Sequence, residues 1–144
     1  MRYSSRTSSR IAAVQALYQI SQSTDLSTAS VVAQFDGPVF DDENKYPSMD
    51  RPLFESLVNG AVSEKAHLEA ILTQHIKDDR VGDKMSAMMQ SILLPAVYEI
   101  ESFVETAQAI IISEYVSIGH LFFHGREPAF IHDILGQVST TIRK

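Results

Sequence analysis

The sequence predicts an all-α fold, and three observations carry that prediction. Apolar residues recur at three- and four-residue spacing in successive stretches, no useful length alternates apolar with polar, and residues suited to caps and turns stand between most of the stretches. About seven helices are expected, with no repeat at a fixed period.

Ser8 or Ser9 is the expected N-cap of the first helix, whose stripe is Ala13, Val14, Leu17 and Ile20, with Gln15 and Gln19 pointing the other way. A short second helix is expected from about 27 to 35, followed by a loop over 36–50 that holds Gly37, Pro38, Pro47 and five acidic residues. Asp50 can cap the third helix. Pro52 is tolerated in its first turn, where a missing N–H costs no bond, and Leu53, Phe54, Leu57, Val58, Ala61 and Val62 form its stripe. Leu68, Ile71, Leu72 and Ile76 mark a fourth helix, which the run Lys77 to Asp83 breaks.

The strongest helical signal covers residues 84–103, where Met85, Met88, Met89, Ile92, Leu93, Ala96, Val97 and Ile100 share one wide face. This is the expected central core helix. Pro95 lies inside it, removes the bond to residue 91 at a cost of about 3 kcal/mol, and predicts a kink near Ser91. A sixth helix is expected over 108–122, carrying Ile111, Tyr115, Ile118 and Phe122. A seventh starts at Pro128, with Phe130, Ile131, Ile134, Leu135, Val138 and Ile142 as its stripe.

The 144 residues, 44% apolar and 21% charged, suit one domain spanning 1–144 with a buried core. The absence of cysteine removes disulfides, thiolate metal sites and cysteine nucleophiles. No apolar run approaches the ~20 residues that span a bilayer. The Arg- and Ser-rich opening runs straight into the first helix without a cleavage pattern, so it reads as part of a soluble cytoplasmic domain. A net charge of −6 argues against coating nucleic acid by bulk electrostatics. The distribution is uneven, however. Arg2, Arg6 and Arg10 precede the first acidic residue, Asp25, whereas between Lys84 and Arg126 there is no Lys or Arg. A basic end of this kind permits a local contact with a polyanion.

Little in the sequence suggests an enzyme. No phosphate-cradling glycine loop, zinc-protease helix or nucleophile elbow is present. His120 and His124, four residues apart, with His132 beyond them, have a spacing that can hold a metal. No third ligand is fixed by spacing, so they read as helix-end histidines, and neither a metal nor a cofactor is expected. Glu101 and Glu105, with Glu99 nearby, read as a solvated face rather than an acid–base pair. The arginines are more suggestive. A guanidinium forks onto phosphate and stacks on bases, and Tyr18, at the edge of the first helix's apolar face, can stack a single-stranded base.

Five segments, in order along nearly the whole chain, resemble the NusB family of transcription antitermination proteins. Arg10 to Gln19 (RIAAVQALYQ) is similar to the family's R-x-x-A-V-Q-x-L-Y, and Phe54 to Gly60 to its F-x-x-L-x-x-G. Ile92 to Ile100 resembles I-L-R-x-A-x-Y-E-L, Ile111 to Val116 resembles I-N-E-x-V, and Phe130 to Leu135 resembles F-V-N-G-V-L. The resemblance implies an all-α domain of two small helical bundles without catalytic activity. It implies binding of a boxA-type leader RNA together with NusE, a small-subunit ribosomal protein, within the transcribing RNA polymerase complex on ribosomal RNA operons. A homodimer is left open. The family's RNA contacts begin at the basic N-terminus, which carries over onto Arg6, Arg10 and Tyr18, with Arg2 joining by charge and proximity.

The chain departs from the family at Leu94, where an arginine is usual, at the following Pro95, at Ser113, and at His132-Asp133. On the wheel of the central helix Leu94 lies near the middle of the polar face. It either packs under a neighbouring helix or joins a partner-binding patch. The alternative function is a helical module for ribosomal RNA maturation or protein interaction with weakened RNA binding.

Overall fold

The structure, a computed structural model, describes residues 3–35, 49–76 and 85–143. Among these are seven α-helices and no strand: α1 (Ser5–Gln22), α2 (Thr28–Gln34), α3 (Arg51–Ser63), α4 (Lys65–His75), α5 (Ala87–Ser102), α6 (Gln108–Phe122) and α7 (Glu127–Ile142). The loop expected over 36–50 and the break over 77–83 fall almost wholly outside the described residues, as does Arg2.

The caps explain where the helices begin. The Ser4 hydroxyl accepts the Thr7 N–H at the start of α1, Ser27 accepts that of Ser30 at α2, Asp50 that of Leu53 at α3, and Ser86 that of Met89 at α5. The expected cap at Ser8 or Ser9 is therefore corrected by one turn. Both serines lie inside α1 and are buried, and the Ser9 hydroxyl donates to the carbonyls of Ser5 (2.8 Å) and Asp50 (2.9 Å). A polar residue that bonds sideways into a neighbouring element has no need of water.

α1, α2 and α3 pack with one another, and α1 and α3 lie against one side of α5; α4, α6 and α7 gather on its other sides. Two small bundles thus share α5. Sharing settles the position of Leu94. From Ser91 to Val97 every residue of α5 is buried, and Leu94 is 7% exposed, packed in the core rather than lying on a wet face. The helical wheel assumed one covered side, whereas α5 has neighbours all round. α5 runs unbroken through Pro95, and the Ser91 hydroxyl donates to the Ala87 carbonyl beside it (2.8 Å).

Two further contacts fix α5. A Cβ at Gly60 of α3 would run into the ring of Tyr98, so only a glycine lets the two helices approach with that ring between them. Beyond the C-terminus of α5, Arg143 donates to the carbonyls of Ile100 (3.0 Å), Phe103 (2.9 Å) and Thr106 (2.7 Å). A cation is favourable there, since it satisfies orphan carbonyls at the negative end of the helix dipole.

Candidate nucleic-acid interface

Of the four residues proposed from sequence, Arg2 lies outside the described residues, and the structure gives Arg6, Arg10 and Tyr18 of α1 different surroundings. Arg6, in the first turn, is exposed; its guanidinium sits 3.9 Å from the Asp50 carboxylate, a loose pair. It borders an open groove of about 570 Å³ with Pro52, Phe103, Val104 and Thr106. Tyr18 is 36% exposed on the same helix. Twelve residues of α-helix separate it from Arg6, an axial rise of about 18 Å and a rotation of about 120° around the axis, so the two do not form one cluster.

Arg10 is not exposed with them. Its side chain is 2% exposed, and its guanidinium forks onto Glu99 of α5, with Nε donating to both carboxylate oxygens (3.0 and 3.2 Å) and NH2 to Oε2 (2.6 Å). Its NH1 donates to Glu114 Oε1 of α6 (2.7 Å), and the Tyr115 hydroxyl completes the shell by donating to Glu99 Oε1 (2.9 Å). Burial works against the charged guanidinium, yet the hydrogen bonds and charge of Glu99 outweigh it, so Arg10 holds its proton more tightly than an ordinary arginine. Burial, reinforced by the Glu99 charge, pushes the Tyr115 phenol well above its usual range and keeps it a donor. Arg10, expected to meet RNA, is instead turned inward, with Nε, NH1 and NH2 each donating to a carboxylate.

Sequence reasoning missed Thr7 as well. Its hydroxyl donates to Glu114 Oε1 (2.6 Å), the same oxygen that Arg10 holds. The partners are 107 positions apart, and nothing local in the sequence joins them.

A second groove, of about 760 Å³, runs between the end of α1, the α3–α4 junction and the start of α5. Leu17, Ile20, Val62, Lys65, Gln90 and Leu94 are among its lining residues. Leu94 therefore contributes to the floor of this groove while being packed in the core.

Among the described residues, one group of three metal-ligating side chains comes together: Glu64, His67 and Glu101, with ligand atoms within 4.8 Å of one another. It differs from the histidines singled out by spacing. His67 Nε2 lies 2.9 and 3.0 Å from the two Glu101 oxygens, and the hydrogen bond and charge of Glu101 raise the His67 pKa. That geometry is a solvent-facing histidine–carboxylate pair, an ion pair when His67 is protonated. No helix among the described residues is long and apolar enough to cross a membrane.

The sequence matches the NusB family over residues 7–140. The chain belongs to the NusB family. It is 30% identical over 141 residues to the transcription antitermination protein NusB of Rhizobium rhizogenes, an alignment covering 96% of this chain and 88% of that protein. Its identity to the transcription antitermination protein NusB of Gluconobacter oxydans is 33% over 141 residues, covering 94% and 86%. NusB of T. maritima superimposes with a TM-score of 0.81 at 15% identity over 97% of this chain and 93% of that one, a likeness of fold. The seven-helix architecture is thus that of the NusB fold. Arg10, Glu99 and Glu114 all fall in segments through which the family resemblance was read, and here they meet in one buried cluster.

Proposed function

We propose that this chain is a non-enzymatic, cytoplasmic transcription antitermination factor. It binds a boxA-type leader RNA together with NusE and acts within the transcribing RNA polymerase complex on ribosomal RNA operons. The observation that carries the role is the near full-length match to the NusB family, with relatives that are transcription antitermination proteins. The exposed arginine at the start of α1 supports the placing of the RNA. Arg6, with Arg2 ahead of it, supplies phosphate contacts, and Tyr18 offers a ring for a base further along the helix. Partner binding falls to the groove floored by Leu94, between α1 and α5.

With Arg10 turned inward, fewer cations reach the RNA than the sequence suggests. Each phosphate contact contributes about 0.7 to the slope of log K against log salt for a single strand, so a shallow dependence is expected for this chain alone.

The test is fluorescence anisotropy with a short single-stranded RNA carrying a boxA-type sequence, across a salt series, with and without NusE. Arg6→Ala should weaken binding several-fold and flatten the slope by about 0.7, while the melting temperature stays within about 2 °C because Arg6 is exposed and loosely paired. Unchanged affinity and slope for Arg6→Ala would remove the start of α1 from the RNA site.

A further inference from the structure

The first turn of α1 is a poor place to build a rigid RNA contact. It carries Arg6 and no acidic residue, so a cation sits at the positive end of the helix dipole. Capping by Ser4 satisfies one orphan N–H, but helix starts of this kind fray when nothing else holds them. Beside the backbone bond from the Asp50 N–H to the Ser5 carbonyl (3.4 Å), two side-chain ties supply the hold. The Ser9 hydroxyl reaches the Asp50 carbonyl before α3, and the Thr7 hydroxyl reaches Glu114 on α6.

The second tie is unusual in what stands behind it. Glu114 Oε1 accepts from both Thr7 and Arg10, and Arg10 is itself fixed by its fork on the fully buried Glu99. A chain of charge-assisted bonds therefore runs from the last turn of α5 through Arg10 and Glu114 to the residue beside Arg6. One guanidinium faces two carboxylates, so the cluster holds an excess negative charge near the start of α1. The Glu114 side chain is 24% exposed, which leaves that charge open to the first turn. A carboxylate there offsets the unfavourable pairing of Arg6 with the helix dipole.

We infer that Glu114, acting through Thr7, is the positioning residue that holds the Arg6-bearing turn in its RNA-ready geometry. The inference rests on the proposal that Arg6 contacts RNA, and the experiment separates the two. Thr7→Val removes the hydroxyl tie to Glu114, together with the bond that the Ser4 hydroxyl donates to Thr7 (3.0 Å), and leaves Arg10, Glu99 and Glu114 in place, so folding is preserved even if Glu114→Ala proves unstable.

With the full chain and the same single-stranded RNA, Thr7→Val should weaken binding about three- to tenfold and flatten the salt slope by about 0.7, as if one phosphate contact were lost. Its melting temperature should move by no more than a few degrees. Hydrogen exchange at the Ser8 and Ser9 amides should quicken, and Thr7→Ser should restore both readouts. Combining Thr7→Val with Glu114→Ala should be no worse than Glu114→Ala alone, the mark of one shared interaction. Glu114→Gln, which keeps an acceptor oxygen but no charge, should retain more affinity than Glu114→Ala.

Wild-type affinity and slope in Thr7→Val, with Arg6→Ala defective, would overturn the positioning role and leave the RNA site standing. A strictly additive double mutant would also overturn it, since Thr7 would then be acting on its own. Tighter RNA binding in both Glu114 variants would make Glu114 merely a repelling charge and overturn it too. A silent Arg6→Ala sinks the RNA site itself, whatever Thr7 does.

Discussion

Replacing Arg10 with alanine distinguishes a buried cluster from an RNA contact more sharply than any other single change. In the folded chain Arg10 makes four hydrogen bonds to Glu99 and Glu114, and Glu99 is 0% exposed. Truncation to alanine leaves the Glu99 carboxylate buried, with the Tyr115 hydroxyl as its remaining partner in the cluster. Breaking a buried ion pair by removing one partner costs about 3–5 kcal/mol, against a total stability of about 5–15 kcal/mol for a domain. At roughly 3 °C per kcal/mol for a chain of this size, the melting temperature should fall by about 10–15 °C. Arg10→Lys should fall between wild type and alanine, because an ammonium cannot reproduce the two-pronged fork. Removing both charges, in Arg10→Met with Glu99→Leu, should be less harmful than Arg10→Ala, since no unpaired buried carboxylate remains. Differential scanning calorimetry and circular dichroism melts read these values directly. A fall of less than about 3 °C, together with a large loss of RNA affinity, would refute the reasoning and place Arg10 on the RNA.

Three other outcomes follow from the packing and the charges. Gly60→Ala should destabilise by about 1–3 kcal/mol, because the new methyl forces the Tyr98 ring off its place between α3 and α5; a melt within error of wild type would mean the ring moves freely. Leu94→Ala should cost about 2–5 kcal/mol and Leu94→Asp should prevent folding. A Leu94→Asp chain that folds normally but fails to capture NusE would instead make that leucine a pure interface residue. His67 has a raised pKa in the folded chain, so its pairing with Glu101 adds stability that is fully present below the unfolded value of 6.5 and is lost as pH rises through the folded value. Melts of His67→Gln against wild type should therefore differ most near the acid end and converge well above pH 6.5; a gap that is constant with pH would contradict this.

The helices were legible because each carries an apolar stripe long enough to bury, and because Ser27, Asp50 and Pro52 punctuate the chain with unambiguous chemistry. Residues 108–122 match α6 end for end. The candidate site was less legible, for a reason visible in two residues. Arg10 lies three and four positions before Ala13 and Val14, and Glu99 lies three after Ala96 and seven after Ile92. Both therefore stand on apolar faces. That placement was the available signal of a buried pair, but charge was read as exposure. Leu94 packs under its neighbours, one of the two readings open from sequence, but the wheel alone could not choose it, since a wheel divides a helix into one wet and one dry face and cannot show a helix packed on more than one side. The Thr7 to Glu114 tie had no sequence signal at all, because its bond joins helices that meet only in three dimensions.

The sharing of α5 has a thermodynamic consequence. Two bundles with separate cores could melt one after the other, leaving a half-folded chain at intermediate temperatures. Here neither bundle has a complete core without α5, and the Arg10 fork spans α1, α5 and α6. Opening the α1 side alone would leave the Glu99 carboxylate without Arg10, and opening the α6 side alone would take Glu114 from Arg10 and uncover the apolar face of α5, so partly melted forms lie well above both end states. The chain should therefore lose its structure as one cooperative unit, with the calorimetric and van't Hoff enthalpies in agreement. A binding event at the start of α1 would then be reinforced by the stability of the whole molecule rather than by that of one helix.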